Sequence, residues 1–280
     1  MLVINPPIVI ASGVGGFGEY MHFIPPEYVG AYTFKTITYK PKSGNPPPRM
    51  RAGEFYILNS IGLENPGIER FLKDVKKGEF NHLFEKVKVI ASLGGESKDE
   101  YLKISEKFSE ISEKFEAVEF NFSCPNVEKG GLSIIENKQE WRNTLRLIRE
   151  TLPNTFLIAK IGVEGIFVEK AVELIKTEGW DGVTLINTIR GLHMDADRNY
   201  VVGGLSGPIL KPIALRMIYE VRKHFEDIFI IASGGVYTAE DAKEYLDLGA
   251  NAVAVGSALF KDPNVVEKIV KGLSDRITRE

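Results

Sequence analysis

The feature that most constrains the fold of this chain is the alternation of eight short apolar runs with amphipathic segments from one end to the other. Several runs are nearly continuous in apolar residues, which is typical of parallel strands buried on both faces. The segments between them change to a helical period. One helical face is formed by Tyr101, Ile104, Phe108, Ile111 and Phe115. The predicted strands are Ile8–Ala11, Ala31–Lys35, Val87–Ala91, Ala117–Asn121, Phe156–Lys160, Gly182–Asn187, Ile228–Ser233 and Ala252–Gly256.

Eight strand–helix units in 280 residues predict an α/β fold of the (β/α)8, or TIM-barrel, type. A doubly wound sheet is the alternative, because the number of strands does not by itself close a barrel. Pro208 is placed to start one helix, and Thr238 with Asp241 resembles a capping box before another. No stretch has the composition of a linker, so we expect residues 1–280 to form a single domain.

Composition and charge limit the possible partners. The content of 44% apolar and 26% charged residues is ordinary for a globular protein, and the net charge of -3 argues against a general nucleic-acid or membrane-surface binder. A single cysteine cannot form an internal disulfide or hold an iron–sulfur cluster, and the four histidines lack metal-site spacing, so we expect no metal site. Without a leader or a long apolar run, the expected compartment is the cytoplasm.

A proline-rich segment at about 39–64 interrupts the alternation after the second strand. It contains four prolines and then the run Asn59-Ser60-Ile61-Gly62-Leu63. Long loops inside a compact domain are usually functional. We therefore expect an inserted loop that forms one wall of a pocket, or alternatively a surface arm or dimer contact.

Polar residues collect where the predicted strands end. In a parallel barrel the active site lies at the carboxyl ends of the strands. Lys35 and Lys160 are notable there, because a buried ammonium needs an anionic partner, either a ligand or a carboxylate on a neighbouring strand. Buried polar groups at such positions need partners that a ligand can supply. The polar strand ends are Ser12, Lys35, Ser92, Asn121, Lys160, Asn187, Ser233 and Ser257.

Glycine-rich turns in the last third of the chain predict a phosphate site. Ser233-Gly234-Gly235 follows one strand and Gly256-Ser257 follows the next. Such glycines let backbone N–H groups approach an anion, and barrels commonly bind phosphate at their last two loops. The run Gly203 to Pro208 reads as a third glycine-rich turn before a helix. The alternative for each pair is ordinary turn chemistry.

The only cysteine lies in the run Asn121-Phe122-Ser123-Cys124-Pro125-Asn126, directly after a predicted strand. Side-chain amides that both donate and accept suit a flat, polar heterocycle. A lone thiol beside them suits proton abstraction better than acyl transfer. A lone buried cysteine can also be an inert core residue.

Taken together, these stretches resemble the class 1 dihydroorotate dehydrogenases, from Ile8 to about Pro263. The resemblance rests on the cysteine run, on Asn59 to Asn65 (NSIGLEN) and on the glycine pairs. It implies a flavoprotein that oxidises dihydroorotate to orotate in pyrimidine biosynthesis. Cys124 would take the proton from C5, and FMN would take the hydride from C6.

The resemblance also implies a set of site residues. Cys124 and Lys35 would be catalytic. Residues expected to bind FMN are Ser12, Lys35, Thr36, Asn121, Lys160, Ile186, Gly207, Gly234, Gly235, Gly256 and Ser257. Residues expected to bind the substrate are Lys35, Asn59, Ser60, Ile61, Gly62, Leu63, Asn121, Asn126, Asn187 and Thr188.

Within class 1, the run from Gly203 to Arg216 is similar to the NAD-linked 1B branch. That similarity implies a homodimer of catalytic chains, each with an electron-transfer subunit that carries FAD and a 2Fe–2S cluster. The chain departs from the 1B pattern at Ser92, where asparagine is usual, and at Arg190 to Met194. The physiological acceptor and the oligomeric state stay open.

Other functions remain compatible with the residues. An FMN barrel could act on another dihydropyrimidine or on tRNA dihydrouridine, although the charge balance offers little support for tRNA. A barrel that binds a sugar-phosphate without redox chemistry, with Cys124 as a bystander, is a second alternative. A non-catalytic scaffold would leave the polar strand ends unexplained.

Overall fold

The computed structural model describes residues 2–123, 135–165 and 167–277. Eight parallel strands close into a barrel in their order along the chain, and the last of them pairs back onto the first. This confirms the TIM-type barrel and excludes the doubly wound sheet. The barrel strands are β1 Ile8–Ile10, β2 Ala31–Thr33, β5 Lys88–Gly94, β6 Ala117–Asn121, β7 Leu157–Ile161, β8 Gly182–Leu185, β11 Phe229–Ser233 and β12 Ala252–Val255.

Helices separate most of the barrel strands. Their bounds are α1 Ile68–Lys76, α2 Asn81–Phe84, α3 Lys98–Phe108, α4 Lys138–Thr151, α5 Val168–Thr177, α6 Lys211–His224, α7 Ala239–Asp247 and α8 Val265–Ile277. The capping box predicted before α7 is present: Thr238 accepts from the N–H of Asp241, whose carboxylate accepts from the N–H of Thr238. Pro208 opens a 3-10 turn that leads into α6.

The helical face predicted from Tyr101 to Phe115 is only partly helical. α3 ends at Phe108, and Ile111 and Phe115 reach the same core from the turn that follows. All three aromatic side chains on this face are buried, so burial was predicted correctly although the helix is shorter.

Side chains on the barrel strands alternate between the interior and the surrounding helices. Ile8 and Ile10 pack in the large core under the helices. Val9, Ala117 and Ile231 belong to a smaller, separate cluster that we assign to the barrel interior. The alternation explains why the strands read as continuous apolar runs, since both of their faces are covered.

A second sheet, which we call the wall sheet, has the strand order β3-β4-β10-β9 and is antiparallel throughout. Its strands are β3 Met50–Ala52, β4 Ile57–Asn59, β9 Ile189–Met194 and β10 Tyr200–Ser206. The proline-rich segment therefore contains two strands, β3 and β4, and β4 pairs with β10 of a hairpin more than a hundred residues later in the chain. Ion pairs Lys42–Glu96 and Arg49–Glu64 also hold this segment.

The prediction of a third glycine-rich turn is wrong for Gly203–Ser206, because these residues form the end of β10. A Cβ on Gly203 would lie 2.1 Å from the carbonyl oxygen of Asn59, so this glycine permits a close approach of two strands. Gly207 alone has turn geometry, with a φ of 113°.

Candidate active site

A cavity of about 340 Å³ opens at the carboxyl ends of the barrel strands and is bounded on one side by the wall sheet. Its lining includes most of the residues that the sequence predicted. These are Ser12, Lys35, Thr36, Asn59, Ile61, Leu63, Asn121, Lys160, Ile186, Asn187, Thr188, Gly207, Gly234, Gly235, Gly256 and Ser257. The barrel thus brings together side chains that are spread over more than 240 positions of the sequence.

Two of the predicted site residues that the structure describes do not line the cavity, and two others cannot be placed relative to it. Cys124 and Asn126 lie outside the described residues. Ser60 and Gly62 do not line the cavity but contact Asn45: the Asn45 amide donates to Ser60 Oγ at 3.0 Å, and a Cβ on Gly62 would lie 2.6 Å from Asn45 Oδ1. In this loop, alternate residues Asn59, Ile61 and Leu63 face the cavity.

A chain of hydroxyl groups connects the first three strands of the barrel. Ser12 Oγ donates to the carbonyl of Phe34 at 2.8 Å and lies 3.2 Å from Thr36 Oγ1, which lies 2.9 Å from Ser92 Oγ. A hydroxyl has one proton to donate, so the order is Ser92 to Thr36 to Ser12. Ser92 is buried beneath the cavity, and it supports Thr36 rather than lining the site.

An amide network fixes the residues immediately before Cys124. The side-chain amide of Asn187 donates to Asn121 Oδ1 at 3.2 Å and to the carbonyl of Ser123 at 3.1 Å. The N–H of Ser123 donates to the same Asn121 oxygen, and Tyr101 donates from its hydroxyl to the Asn121 carbonyl at 2.7 Å. Two strand ends, β6 and β8, are therefore locked together at the edge of the cavity.

The charge of the cavity is positive. Lys35 and Lys160 line it, and among the described residues that line it there is no Asp or Glu. Lys160 is 7% exposed, and its Nζ lies 3.8 Å from Glu119 Oε1 on the neighbouring strand. The carboxylate considered as an alternative partner for this lysine is thus present, but it lies below the cavity. A positive cavity favours an anionic ligand.

The last two loops of the barrel meet at one end of the cavity. Gly234 and Gly235 both have positive φ, and a Cβ on Gly235 would lie 2.8 Å from the backbone nitrogen of Lys211. The hydroxyl of Tyr237 lies 3.0 Å from that of Ser257 and joins the two loops. Burial raises the pKa of Tyr237, and the hydrogen bond with Ser257 opposes this only in part, so the hydroxyl remains neutral at physiological pH.

Sequence reasoning missed Glu119, Tyr237 and the cavity residues of the wall sheet, Met50, Ile57 and Ser206. Glu119 had a usable signal, because a charged residue in the middle of an apolar strand needs a buried partner. The wall residues had no local signal. Among the described residues, no group of three or more His, Cys, Asp or Glu is placed to hold a metal ion. Within the same ranges, no helix is long and apolar enough to span a bilayer.

A closed parallel barrel with a polar cavity at the carboxyl ends of its strands places this protein in the class of TIM-barrel enzymes. The family model described as dihydroorotate dehydrogenase matches residues 2–277. The chain belongs to the dihydroorotate dehydrogenase family.

Individual relatives agree with this assignment. The chain is 55% identical, over 98% of each sequence, to a Thermotoga maritima protein named dihydroorotate dehydrogenase B (NAD(+)), catalytic subunit. A Bacillus caldolyticus protein of the same name is 38% identical over 97% of this chain and 87% of its own length. A crystal structure of DHODH from Eimeria tenella in complex with ferulenol shares the fold, with a TM-score of 0.80 at 22% identity over 98% of this chain and 81% of that one.

Proposed function

We propose that this chain is the catalytic subunit of an NAD-linked dihydroorotate dehydrogenase. It oxidises dihydroorotate to orotate in pyrimidine biosynthesis, and its electrons pass to NAD through a partner subunit. The observation that carries the proposal is the single cavity in which two lysines, three asparagines and the glycine loops of a barrel of this family converge.

The cavity fits FMN. Its positive charge suits the phosphate and the electron-rich edge of the flavin. The glycines of the last two loops carry no side chains that would keep an anion away from the backbone N–H groups. When bound, FMN would supply the acceptor for the hydride from C6 of the substrate. The residues proposed to hold it are Ser12, Lys35, Thr36, Asn121, Lys160, Ile186, Gly207, Gly234, Gly235, Gly256 and Ser257.

Substrate binding is assigned to the amides between the barrel and the wall sheet. Asn59, Asn121 and Asn187 line the cavity, and each carries donors and an acceptor that match the edges of a pyrimidine ring. Lys35 supplies a positive charge suited to the substrate carboxylate. Ile61, Leu63 and Thr188 complete this part of the lining. The proposed substrate loops also contain Ser60, Gly62 and Asn126. Ser60 and Gly62 do not line the cavity, and Asn126 lies outside the described residues.

The catalytic base is assigned to Cys124. The preceding residue, Ser123, is buried and is held by Asn187 at the cavity edge, so the chain enters the cysteine loop from a fixed point. A free thiol has a pKa of about 8.5, which makes a fraction of thiolate available at or above neutral pH. Cys124 would accept the proton from C5, while the asparagines orient the ring.

The proposal includes a second protein. A chain with one cysteine cannot supply the set of cysteine ligands that holds an iron–sulfur cluster, so we assign FAD and a 2Fe–2S cluster to a separate electron-transfer subunit. We also propose a homodimer of catalytic chains. Exposed apolar side chains form paired positions on the outer face of the wall sheet, at Leu192 with Val202 and at Met194 with Tyr200, and patches of this kind mark protein contacts.

The remaining parts of the proposal concern organisation. Residues 1–280 would act as one FMN-binding barrel domain, in which the segment at about 39–64 is an insertion that walls the site. The cytoplasm is the proposed location, supported by a chain that has one cysteine and no internal disulfide.

An anaerobic absorbance spectrum of the purified chain tests the proposal directly. Addition of dihydroorotate should bleach the visible flavin band, because the reductive half-reaction needs only this chain. A yellow protein that stays oxidised would point to another dihydropyrimidine as substrate. A protein that stays colourless after incubation with FMN would favour a barrel enzyme that binds a sugar-phosphate.

A further inference from the structure

Glu119 is a buried carboxylate that the proposed function has not used. It lies in the middle of β6 and is 2% exposed. Because side chains alternate along a strand, it shares the interior face of the barrel with Ala117 and Asn121. A carboxylate in such a position is costly unless it is paired and hydrogen-bonded.

Side chains on two other barrel strands, β7 and β8, supply the contacts of this carboxylate. Thr184 on β8 donates from its hydroxyl to Glu119 Oε2 at 2.7 Å. Oε1 has no hydrogen-bond donor among the described residues, and it lies 3.8 Å from Lys160 Nζ on β7. The ammonium of Lys160 is therefore the only cation within ion-pair distance of Glu119 in the described part of the chain.

The geometry separates the two members of the pair. Lys160 lines the cavity, whereas Glu119 does not and lies beneath it. At 3.8 Å the pair is an ion pair rather than a tight hydrogen bond, so the three N–H donors of the ammonium are not committed to the carboxylate. Glu119 thus acts on the cavity through the charge and position of Lys160.

Electrostatics give this arrangement a consequence for the cofactor. Lys35 and Lys160 are the only ionisable side chains among the described cavity-lining residues, so Glu119 is the negative charge next to the cavity floor. A cation beside the flavin favours its reduced, negatively charged form, and a carboxylate behind that cation offsets part of the effect. Such interactions are strong in a site with little water.

We propose that Glu119 is a positioning residue that acts through Lys160: its negative charge offsets part of the charge of Lys160 and so lowers the midpoint potential of the bound FMN. The proposal rests on the proposed function, because it takes FMN as the ligand above Lys160. It concerns the equilibrium between oxidised and reduced cofactor and adds no step to the reaction.

The test compares Glu119→Gln with Glu116→Gln, both in the full chain loaded with FMN. Both changes remove one negative charge from the same stretch of chain, but Glu116 precedes β6, is exposed and pairs with Lys88 on the outside. Titration against reference dyes should give a midpoint potential higher by at least about 30 mV in Glu119→Gln, which is a tenfold change in the equilibrium constant of a two-electron couple. Glu116→Gln should keep the wild-type potential.

A second variant, Thr184→Val, keeps the proposal testable if Glu119→Gln folds poorly. It removes the hydroxyl that stabilises the charged carboxylate and retains the shape of the side chain. The midpoint potential should move in the same direction by a smaller amount. The FMN dissociation constant and the melting temperature are measured in parallel. A purely structural effect would change these two quantities and leave the midpoint potential unchanged.

The outcomes separate this proposal from the one on which it rests. If wild-type chain binds no FMN, the cofactor assignment fails and the role of Glu119 fails with it. If the wild type binds FMN and the potential of Glu119→Gln is unchanged or lower, only the role of Glu119 is overturned. A higher potential in Glu119→Gln with no change in Glu116→Gln supports it.

Discussion

The floor and the wall of the cavity are built in different ways. The floor consists of the ends of barrel strands, where Asn121, Ser123 and Lys160 are buried and cross-linked by hydrogen bonds. The wall is the sheet that pairs Asn59 with Gly204, and its outer face is open, with Tyr200 67% exposed. Since the floor is fixed by the closure of the barrel, it suits the cofactor and the chemistry. The wall can vary without opening the barrel, so it suits recognition of substrate and partners.

The largest expected effect is at the proposed catalytic base, Cys124, which follows Ser123 in the sequence. Cys124→Ser replaces the proposed base with a hydroxyl of much higher pKa, so turnover of dihydroorotate should fall by a factor on the order of 100 or more. FMN colour and orotate binding should be retained, because the serine occupies a similar volume. Stopped-flow reduction of the flavin measures the step directly. Turnover at the wild-type rate would rule out Cys124 as the base.

The next largest effect is expected for a change in the wall, which should weaken substrate binding and leave FMN binding at the floor unchanged. Asn59→Ala should raise KM for dihydroorotate by about tenfold or more, since an amide lost from a buried site leaves its partner unpaired at a cost of about 1–3 kcal/mol. Steady-state kinetics and an FMN titration are the measurements, and the FMN affinity should not change.

Asn65→Ala is the matched control for that change. Asn65 is buried in the same segment and bonds only to the protein, through Thr38, Leu63 and Gly67. It should lower the melting temperature more than Asn59→Ala does. A loss of FMN binding in Asn59→Ala would mean that the wall and the floor are not separable.

A third prediction concerns the glycine loops of the floor. Gly235→Ala places a Cβ against the backbone of Lys211 and should weaken FMN binding by about tenfold, or about 1.4 kcal/mol. Gly165→Ala is the control, because Gly165 has nearly the same φ, 73° against 72°, and open space around its Cβ. Fluorescence titration with FMN compares the two variants. Equal affinities would show that the close approach to Lys211 does not shape the phosphate loop.

The smallest expected effect is at Asp241, which does not line the cavity. Burial raises the pKa of Asp241, but hydrogen bonds with Lys211, with the N–H of Tyr237 and with Thr238 outweigh burial and lower it. A lowered pKa stabilises the folded state above the unfolded value of about 3.9, and the stabilisation is lost as the pH falls through the folded value.

Asp241→Asn should therefore reduce the free energy of unfolding at neutral pH by less than about 1 kcal/mol, as for partly exposed ion pairs. It should also flatten the acid limb of the stability curve, that is, the fall in the free energy of unfolding below about pH 4. Denaturant unfolding at several pH values measures both. Asp247→Asn, which removes one negative charge from the same helix and breaks the exposed pair with Lys243, is the control. Equal acid limbs in the two variants would contradict the assignment.

The sequence by itself determined the parallel strands and the polar residues at their ends, whereas the closure of the barrel, which the strand count left open, was decided by the tertiary structure. Runs such as Ile8–Ile10 and Ala252–Val255 are apolar on both faces, which is typical of a parallel strand covered on both sides, and the polar residues that follow them meet because parallel strands end at the same edge. The capping box at Thr238 is likewise a local pattern, written within four residues.

Only the tertiary structure decided the wall and the charge pair beneath the floor. Gly203 and Gly204 read locally as a turn, yet they form a strand because Gly203 pairs with Gly191 and Gly204 pairs with Asn59, about 145 positions earlier. Glu119 and Lys160 meet because neighbouring barrel strands bring alternate interior residues into contact. Periodicity and capping depend on neighbours in the chain, whereas a pairing partner depends on which distant segments the closed barrel brings together.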